Sequence, residues 1–365
     1  MDTGSYTFDA LYKKYDGFSA PFFTVTIGGK KLNQADSLIS NLEVEINAGG
    51  AAGGCTFVVN GRYDYDKTDW VIDAESSIEV GAKLEITCGY VEQKEVFYGY
   101  VDDYNMQFPR EGAPYIQVNG MDALGYLMSF QEPIYGGRNK PKQVVEEILN
   151  KAKNAGYAKS VTIGSLDGFE TPIIKKGVDD WKFLNTLAAR YGTTLAVIDG
   201  EIVFKNLASS TSPVMTLTMG QNLYHFERKV SLAHQVGKVE IWGRDKNQGF
   251  LKGVADSVSI GGSGKTAVEL APKFKEAAIR EYSEFARTQE ECDKMAQGRL
   301  DSIAMNLVSG RGTCIGIPEL IPGRYVKIEK AEERVNGSYF LTKVKHIYSV
   351  QDGYITEFEV KGARA

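Results

Sequence analysis

Pro322-Gly323-Arg324-Tyr325-Val326-Lys327-Ile328 is followed by Val335-Asn336-Gly337-Ser338-Tyr339-Phe340-Leu341-Thr342-Lys343-Val344-Lys345-His346, and then by Asp352-Gly353-Tyr354-Ile355-Thr356-Glu357-Phe358-Glu359-Val360. Each run alternates and is rich in β-branched and aromatic residues, which predicts a strand with one buried face. Asn336-Gly337 and Asp352-Gly353 predict tight turns, because glycine accepts positive φ at little steric cost. The end of the chain therefore reads as three strands joined by two turns.

Working outward, residues 1 to about 130 also read as β. Phe22–Ile27 stops at Gly28-Gly29, Leu42–Ile46 alternates strictly, and Thr56–Val59 follows a glycine-rich stretch. Lys83–Tyr90 and Glu95–Val101 predict a hairpin, and Ile116–Gly120 closes the set. Short strands separated by turns point to a barrel or sandwich. Residues 131–210 change to α/β. A helix is predicted from Pro141, whose missing N–H is not needed in a first turn, to a stop at Gly156. A second runs over Asp180–Tyr191, capped by Asp179 or Asp180 and ended by Gly192, with a hairpin around Asp199-Gly200 after it. Residues 211–365 return to β. They contain one long helix opened by the capping box Thr288-Gln289-Glu290-Glu291 and a Gly/Ser-rich 245–270 stretch expected to be a flexible loop.

Composition bounds the function. The chain has 365 residues, 43% hydrophobic and 24% charged, enough for two or three domains with a sizeable core. A net charge of −5 argues against a general nucleic-acid binder. No apolar run reaches the length of a membrane helix, and Met1-Asp2-Thr3-Gly4-Ser5 has no signal-peptide character. Cys55, Cys88, Cys292 and Cys314 are scattered, which fits buried free thiols in a reducing cytoplasm rather than a metal site.

Candidate chemistry is thin. Ser259-Ile260-Gly261-Gly262-Ser263-Gly264-Lys265-Thr266 ends like a phosphate-binding loop, but Ser259 replaces the first glycine and Pro272 interrupts a following helix. His225, His234 and His346 have no ligand partners at metal spacing, and packed structural roles are expected of them. Asp102-Asp103, Asp179-Asp180 and Glu332-Glu333 single out no acid/base pair. No cofactor and no metal are expected. Twenty tyrosines suit a protein that makes interfaces.

Three separated motifs carry a resemblance. Phe97-Tyr98-Gly99-Tyr100-Val101, the helix Asp179–Gly192 and the C-terminal block resemble, in this order, the phage late control protein D family. That family comprises contractile-tail baseplate hubs and includes the hub part of type VI VgrG-like spike proteins. The residues carrying the resemblance are Phe97, Gly99, Trp181, Phe183, Leu184, Gly192, Pro322, Gly323, Gly337, Tyr339 and His346, all structural rather than catalytic. The resemblance implies a mainly β fold with an α/β insert: tube-like β-barrel domains at 1–130 and 211–365 flanking a small α/β domain at 131–210.

It implies a non-enzymatic function as well. Three subunits, each with two similar barrels, would form a trimeric symmetry adapter between a sixfold tail tube and a threefold spike. Such a hub would be made in the bacterial cytoplasm and assembled into the baseplate of a phage tail, bacteriocin or injection particle. Its partners would be two further copies, the tail tube protein, a separately encoded spike, and baseplate wedge and tape-measure proteins or cargo, with no membrane insertion and no specific nucleic acid. The alternatives are a nucleotide-binding or cell-wall hydrolytic enzyme and a monomeric carbohydrate-binding β module.

Overall fold

Alternating apolar residues form sheet wherever a strand can bury one face, and the chain does this at both ends. The computed structural model describes residues 3–32, 39–60, 63–70, 78–134, 140–349 and 351–365. Helix α1 (Phe8–Lys14) precedes β1 (Phe22–Ile27), β2 (Lys30–Leu32), β3 (Ile39–Asn47), β4 (Gly54–Val59), β5 (Tyr63–Asp64), β6 (Asp69–Trp70), β7 (Lys83–Gly89), β8 (Gln93–Gln107) and β9 (Tyr115–Met121). The middle holds α2 (Ala123–Leu127), α3 (Pro141–Asn154), β10 (Ser160–Ile163), α4 (Asp180–Tyr191), β11 (Thr194–Ile198) and β12 (Glu201–Lys205). Then follow β13 (Pro213–Thr218), β14 (Leu223–Val230), β15 (Lys238–Arg244), β16 (Phe250–Ala255), α5 (Ala267–Leu270), β17 (Ala278–Tyr282) and α6 (Gln289–Ala304). The chain ends with β18 (Val308–Ile315), β19 (Tyr325–Glu329), β20 (Gly337–Ser349) and β21 (Gly353–Gly362). The fold is mainly β with an α/β insert, as the sequence predicts.

The two β units have matching strand orders. In the first, β7, β8, β9, β4 and β3 are consecutive neighbours; in the second, β19, β20, β21, β18 and β14 are. Each unit is built on a long strand with a bulge, between Val101 and Asp103 in β8 and between Leu341 and Lys343 in β20. The units differ at one place: β1 pairs β7 antiparallel, whereas β13 pairs β19 parallel. Past its bulge, β20 leaves β19 and takes β3 as its second neighbour, with Lys343 to Tyr348 set against Asn47 to Leu42. This seam fuses the units into one 13-stranded sheet. They also share one core, in which Val25, Ile86 and Val101 lie with Val326, Val344 and Phe358.

The middle has its own core. In α3, Val144, Val145, Ile148 and Leu149 are buried, and in α4, Phe183, Leu184 and Leu187 are. Asp179 caps α4, accepting from the Lys182 N–H at 2.7 Å, while the neighbouring Asp180 is buried and pairs with Lys175 and Lys151. Residues 238–304 pack onto this core: β16-β15-β17 form a small mixed sheet against α6, which crosses α4 where Gly192 meets Gly298.

Two local expectations change. The 245–270 stretch, expected to be a loop, contains β16, paired with β15, and α5. Its Lys265 exchanges both backbone hydrogen bonds with Ala365 at 2.9 Å, so chain-terminal backbone orders what Gly/Ser content alone predicts to be loose. Asn336-Gly337 is not a two-residue turn. Gly337 already pairs with Ile328 across a loop of residues 329–336, where the Asn336 side chain accepts from the Ala331 N–H.

Gly192 ends α4 at φ +61, and a Cβ there would lie 2.8 Å from Gly298 Cα. Left-handed strain and overpacking against backbone both act at this position, so Gly192→Ala should cost about 2 kcal/mol in denaturant unfolding. Gly49→Ala, with open space and no positive φ, should stay within about 0.5 kcal/mol.

His346 gives a second expectation. It is buried on β20, and its Nδ1 faces the Tyr354 hydroxyl at 2.9 Å and the Thr356 hydroxyl at 3.3 Å. Burial, with a smaller push from the charge of Lys94, drives its pKa down to about 3. The unfolded chain protonates this ring near 6.5, the folded one only near 3, so its stability contribution is complete above that window and falls with pH through it. Comparing urea melts from pH 7 to pH 4, wild type should lose up to about 1.4 kcal/mol per pH unit more than His346→Gln; equal slopes would refute the assignment.

Candidate assembly interface

The strands from β14 to β8, in the order β14-β18-β21-β20-β3-β4-β9-β8, form an eight-strand antiparallel run through the seam. Their alternate residues face away from the core and are polar. One row across the sheet reads His225, Thr313, Glu357, Lys345 and Glu45; the next reads Glu227, Arg311, Glu359, Lys343 and Asn47. Beyond the seam the same face continues through Thr56, Asn119 and Asp103. Ion pairs cross it: Lys343–Glu45 at 2.7 Å, Lys345–Glu43 at 2.6 Å and Arg311–Glu227 at 2.8 Å. Burial opposes ionisation of Glu45, but Lys343 and Asn47 outweigh it and leave the carboxyl below its usual range. A shallow depression of about 450 Å³ lies over this ladder.

The run ends in two edges that are bare among the described residues. At one end β14 pairs with β18, and beyond a single bridge from Leu223 to Met219 its other edge meets no strand. At the other, β7 covers β8 no further than Tyr100, so residues 102–107 of β8 pair only with β9. Both edges expose large apolar side chains: Tyr224 at 56% and Val230 at 42% on β14, Tyr104 and Met106 each at 39% on β8. Just past β8, Phe108 is also exposed and meets Tyr63 and Trp70 of the β5–β6 hairpin edge to face or tilted. The charges differ in sign. β14 carries Arg228 and Lys229 beside the paired Glu227, and β8 carries Asp102 and Asp103.

The residues singled out from sequence do not meet in one place. Phe97 is buried in the shared core; a Cβ on Gly99 would lie 2.1 Å from the Met121 carbonyl oxygen, so strand crowding demands glycine there. Trp181 donates to the Gly50 carbonyl at 2.7 Å and ties α4 to the first β unit, while Phe183 and Leu184 fill the middle core. Pro322 is buried, and Gly323 takes φ +79 under Leu207 while donating to the Leu341 carbonyl at 2.8 Å. Gly337 starts β20, and Tyr339 is buried with its hydroxyl on the Val335 carbonyl. His225 and His234 are exposed, unlike the packed roles expected of them. The Gly261–Thr266 segment is not a phosphate cradle: Thr266 caps the four-residue α5 in a capping box with Glu269. The edge residues Tyr104, Met106, Tyr224 and Val230 were missed. Tyr104, Met106 and Val230 stand on the core phase, opposite Val118, Ile116 and Val308, and Tyr224 lies in a bulge, so alternation alone does not mark them as exposed.

A family model for the Alg8 N-terminal domain matches residues 20–349. The chain belongs to the Alg8 N-terminal domain family. The motifs resembled late control protein D, and the match corrects that family assignment while the hub-like fold stands. No curated protein matches this sequence. Solved structures do. A tail protein from Neisseria meningitidis MC58 superposes with a TM-score of 0.66 at 17% identity, over 94% of this chain and 96% of that one. The 43 kDa tail protein of prophage MuSo2 from Shewanella oneidensis gives 0.67 at 17% identity, over 94% and 99%. The E. coli c3393 protein, a type VI secretion component described as similar to the T4 tail proteins gp27 and gp5, gives 0.57 at 12%, over 93% and 76%. This family member thus has a tail-protein fold.

The charge ladder contributes little to stability. Its pairs are partly exposed, and such pairs are worth about 0–1 kcal/mol each. Lys345→Ala should therefore lower unfolding free energy by less than about 1 kcal/mol in urea. A larger loss would mean that the pair is a structural element rather than a surface property.

Proposed function

We propose that the chain is a structural hub: three copies close into a ring that joins a sixfold tail tube to a threefold spike, with no catalytic role. The observation that carries this is the repetition of the seam. Within one chain, β3 of the first unit fills the edge that β20 exposes past its bulge. The counterpart of β20 is β8, whose edge past its own bulge is bare, and the counterpart of β3 is β14, which is also bare. Joining β14 of one copy to β8 of the next repeats the in-chain contact between copies.

Strand direction fits this joint. Directions alternate through an even number of strands, so β8 and the β14 of a copy related by rotation about an axis along the wall run antiparallel. Charge fits too, with carboxylates on β8 opposite cations on β14. Three copies of two similar units would present six similar segments to a tube and three to a spike. In this reading the wall comes from the β units of 1–130 and 211–365, with 131–210 and the 238–304 excursion packed outside. The polar face would line the channel, past which a tape-measure protein or cargo moves. The tail-protein fold supports a place in the baseplate of a phage tail or related injection particle, beside tube, spike and wedge proteins.

Sedimentation velocity tests the ring. Wild type should sediment as a trimer. Met106→Lys places a cation against the cationic edge and Tyr224→Glu a carboxylate against the acidic edge; both sites are exposed, so each variant should fold and stay monomeric. An equimolar mixture should recover association, since the unmodified β14 of one variant meets the unmodified β8 of the other and the two introduced charges are opposite at the reverse joint. A monomeric wild type at every concentration, or variants that remain trimeric, would overturn the proposal.

A further inference from the structure

The small sheet β16-β15-β17 lies apart from the eight-strand wall, and among the described residues only one of its faces is covered. Val239, Ile241 and Gly243 turn toward α6 and its preceding loop; a Cβ on Gly243 would lie 2.0 Å from the Ala286 carbonyl oxygen, and one on Gly253 would lie 2.1 Å from Cys292 backbone. The opposite face is set by register. Arg244 stands beside Phe250; Trp242 lies between Lys252 and Tyr282; Glu240 lies between Val254 and Arg280. Phe250 is 70% exposed, Tyr282 61% and Val254 46%, although a sheet normally buries such residues.

The charges on this face are organised. The Glu240 carboxylate meets Lys238 at 2.9 Å, Lys252 at 3.2 Å and Arg280 at 3.1 Å. Hydrogen bonding from Lys238 first, then Lys252, holds its pKa down to about 2. Lys252 also sits 4.9 Å over the Trp242 ring and Arg244 4.6 Å over Phe250. Three cations thus surround one carboxylate and a fourth, Arg244, stands on the same face, on a chain whose net charge is −5. They are held in place by Glu240 and the rings, so little side-chain freedom remains to be lost when an anion arrives.

We propose that this face docks an acidic segment of a partner protein. Its carboxylates would bridge Lys238, Lys252, Arg244 and Arg280, while its apolar atoms cover Phe250, Val254 and Tyr282. Nucleic acid fits the same face less well. Base stacking needs open rings, and here cations already lie over Trp242 and Phe250; the acidic chain as a whole also repels a polyanion. The inference does not depend on ring closure, since the face is on neither bare edge.

Fluorescence anisotropy on the full chain at low salt tests it, with a short fluorescein-labelled poly-glutamate peptide as probe and a Gly/Ser peptide and an oligothymidylate as comparisons. The poly-glutamate should bind, weaken with salt, and bind about tenfold more weakly to Lys252→Glu/Arg280→Glu, from two lost surface pairs. Phe250→Ser, at an exposed position, should weaken binding with no change in melting temperature. No binding by poly-glutamate, binding untouched by these variants, or tighter binding of oligothymidylate through the same residues would overturn the proposal.

Discussion

The antiparallel seam between Leu42–Asn47 and Lys343–Tyr348 is the contact on which the rest depends. A sheet edge is a row of unpaired N–H and C=O groups, and leaving it unpaired away from water is costly. β20 is paired along its whole length because the bulge at Leu341/Lys343 hands it from β19 to β3. The extra residue turns the strand, and the turned half needs a new neighbour. That neighbour comes from residues about three hundred positions earlier, which brings both ends of the chain onto one core. Helix α1 reinforces the join, since Tyr15 donates to Glu319 at 2.6 Å and Lys14 pairs with the same carboxylate at 2.8 Å.

The middle module is attached to this frame through a shared core patch, where Ala196 and Ile198 pack with Tyr325 and Phe340, and through polar ties. Trp181 and Asn185, one turn apart on α4, both donate to the Gly50 carbonyl. Gly50 has φ +82, and any Cβ there would collide with Asn185, so the loop follows the helix closely. The Gly192–Gly298 crossing then brings α6, and with it the β16-β15-β17 sheet, onto the same body. Two glycine-dependent approaches therefore help carry the exposed aromatic and cationic face to its position outside the wall.

Elements with a local cause were legible in the sequence. The capping residues Asp179 and Thr288, the stop at Gly192 and the I′-like turn at Asp199-Gly200 act within a few residues, and each appears where the pattern puts it. β18 was not legible, because Gly310 and Gly312 weaken its strand character; they are required by Glu227 backbone and by the Phe358 ring, which come from distant strands. β14 was missed because it is exposed along most of its length and has no buried phase to show. The seam and the bare edges are pairings between remote segments, and alternation within a strand does not say which strand lies beside it. The candidate interface was hidden for that reason, while the Gly-Lys-Thr sequence, whose pattern is local, was visible and misleading.

The bare edges also differ from each other in a way that selects geometry. An interface between two β14 strands would set Arg228 and Lys229 against a second copy of themselves, and two β8 edges would oppose Asp102 and Asp103 with the same pair. Like charges directly across a strand pair are destabilising. Twofold pairing of either edge is therefore disfavoured, and of the pairings between these two edges only the mixed one brings opposite signs together. A mixed joint is head to tail, and a head-to-tail joint either closes into a ring or continues as a filament according to its rotation. Bulges set that rotation by fixing how far each strand turns, so under the proposed assembly the in-chain joint at Leu341/Lys343 and the open one at Val101/Asp103 impose a similar turn. Under that assembly, the joint each chain already makes with itself would be half of the joints that closure requires.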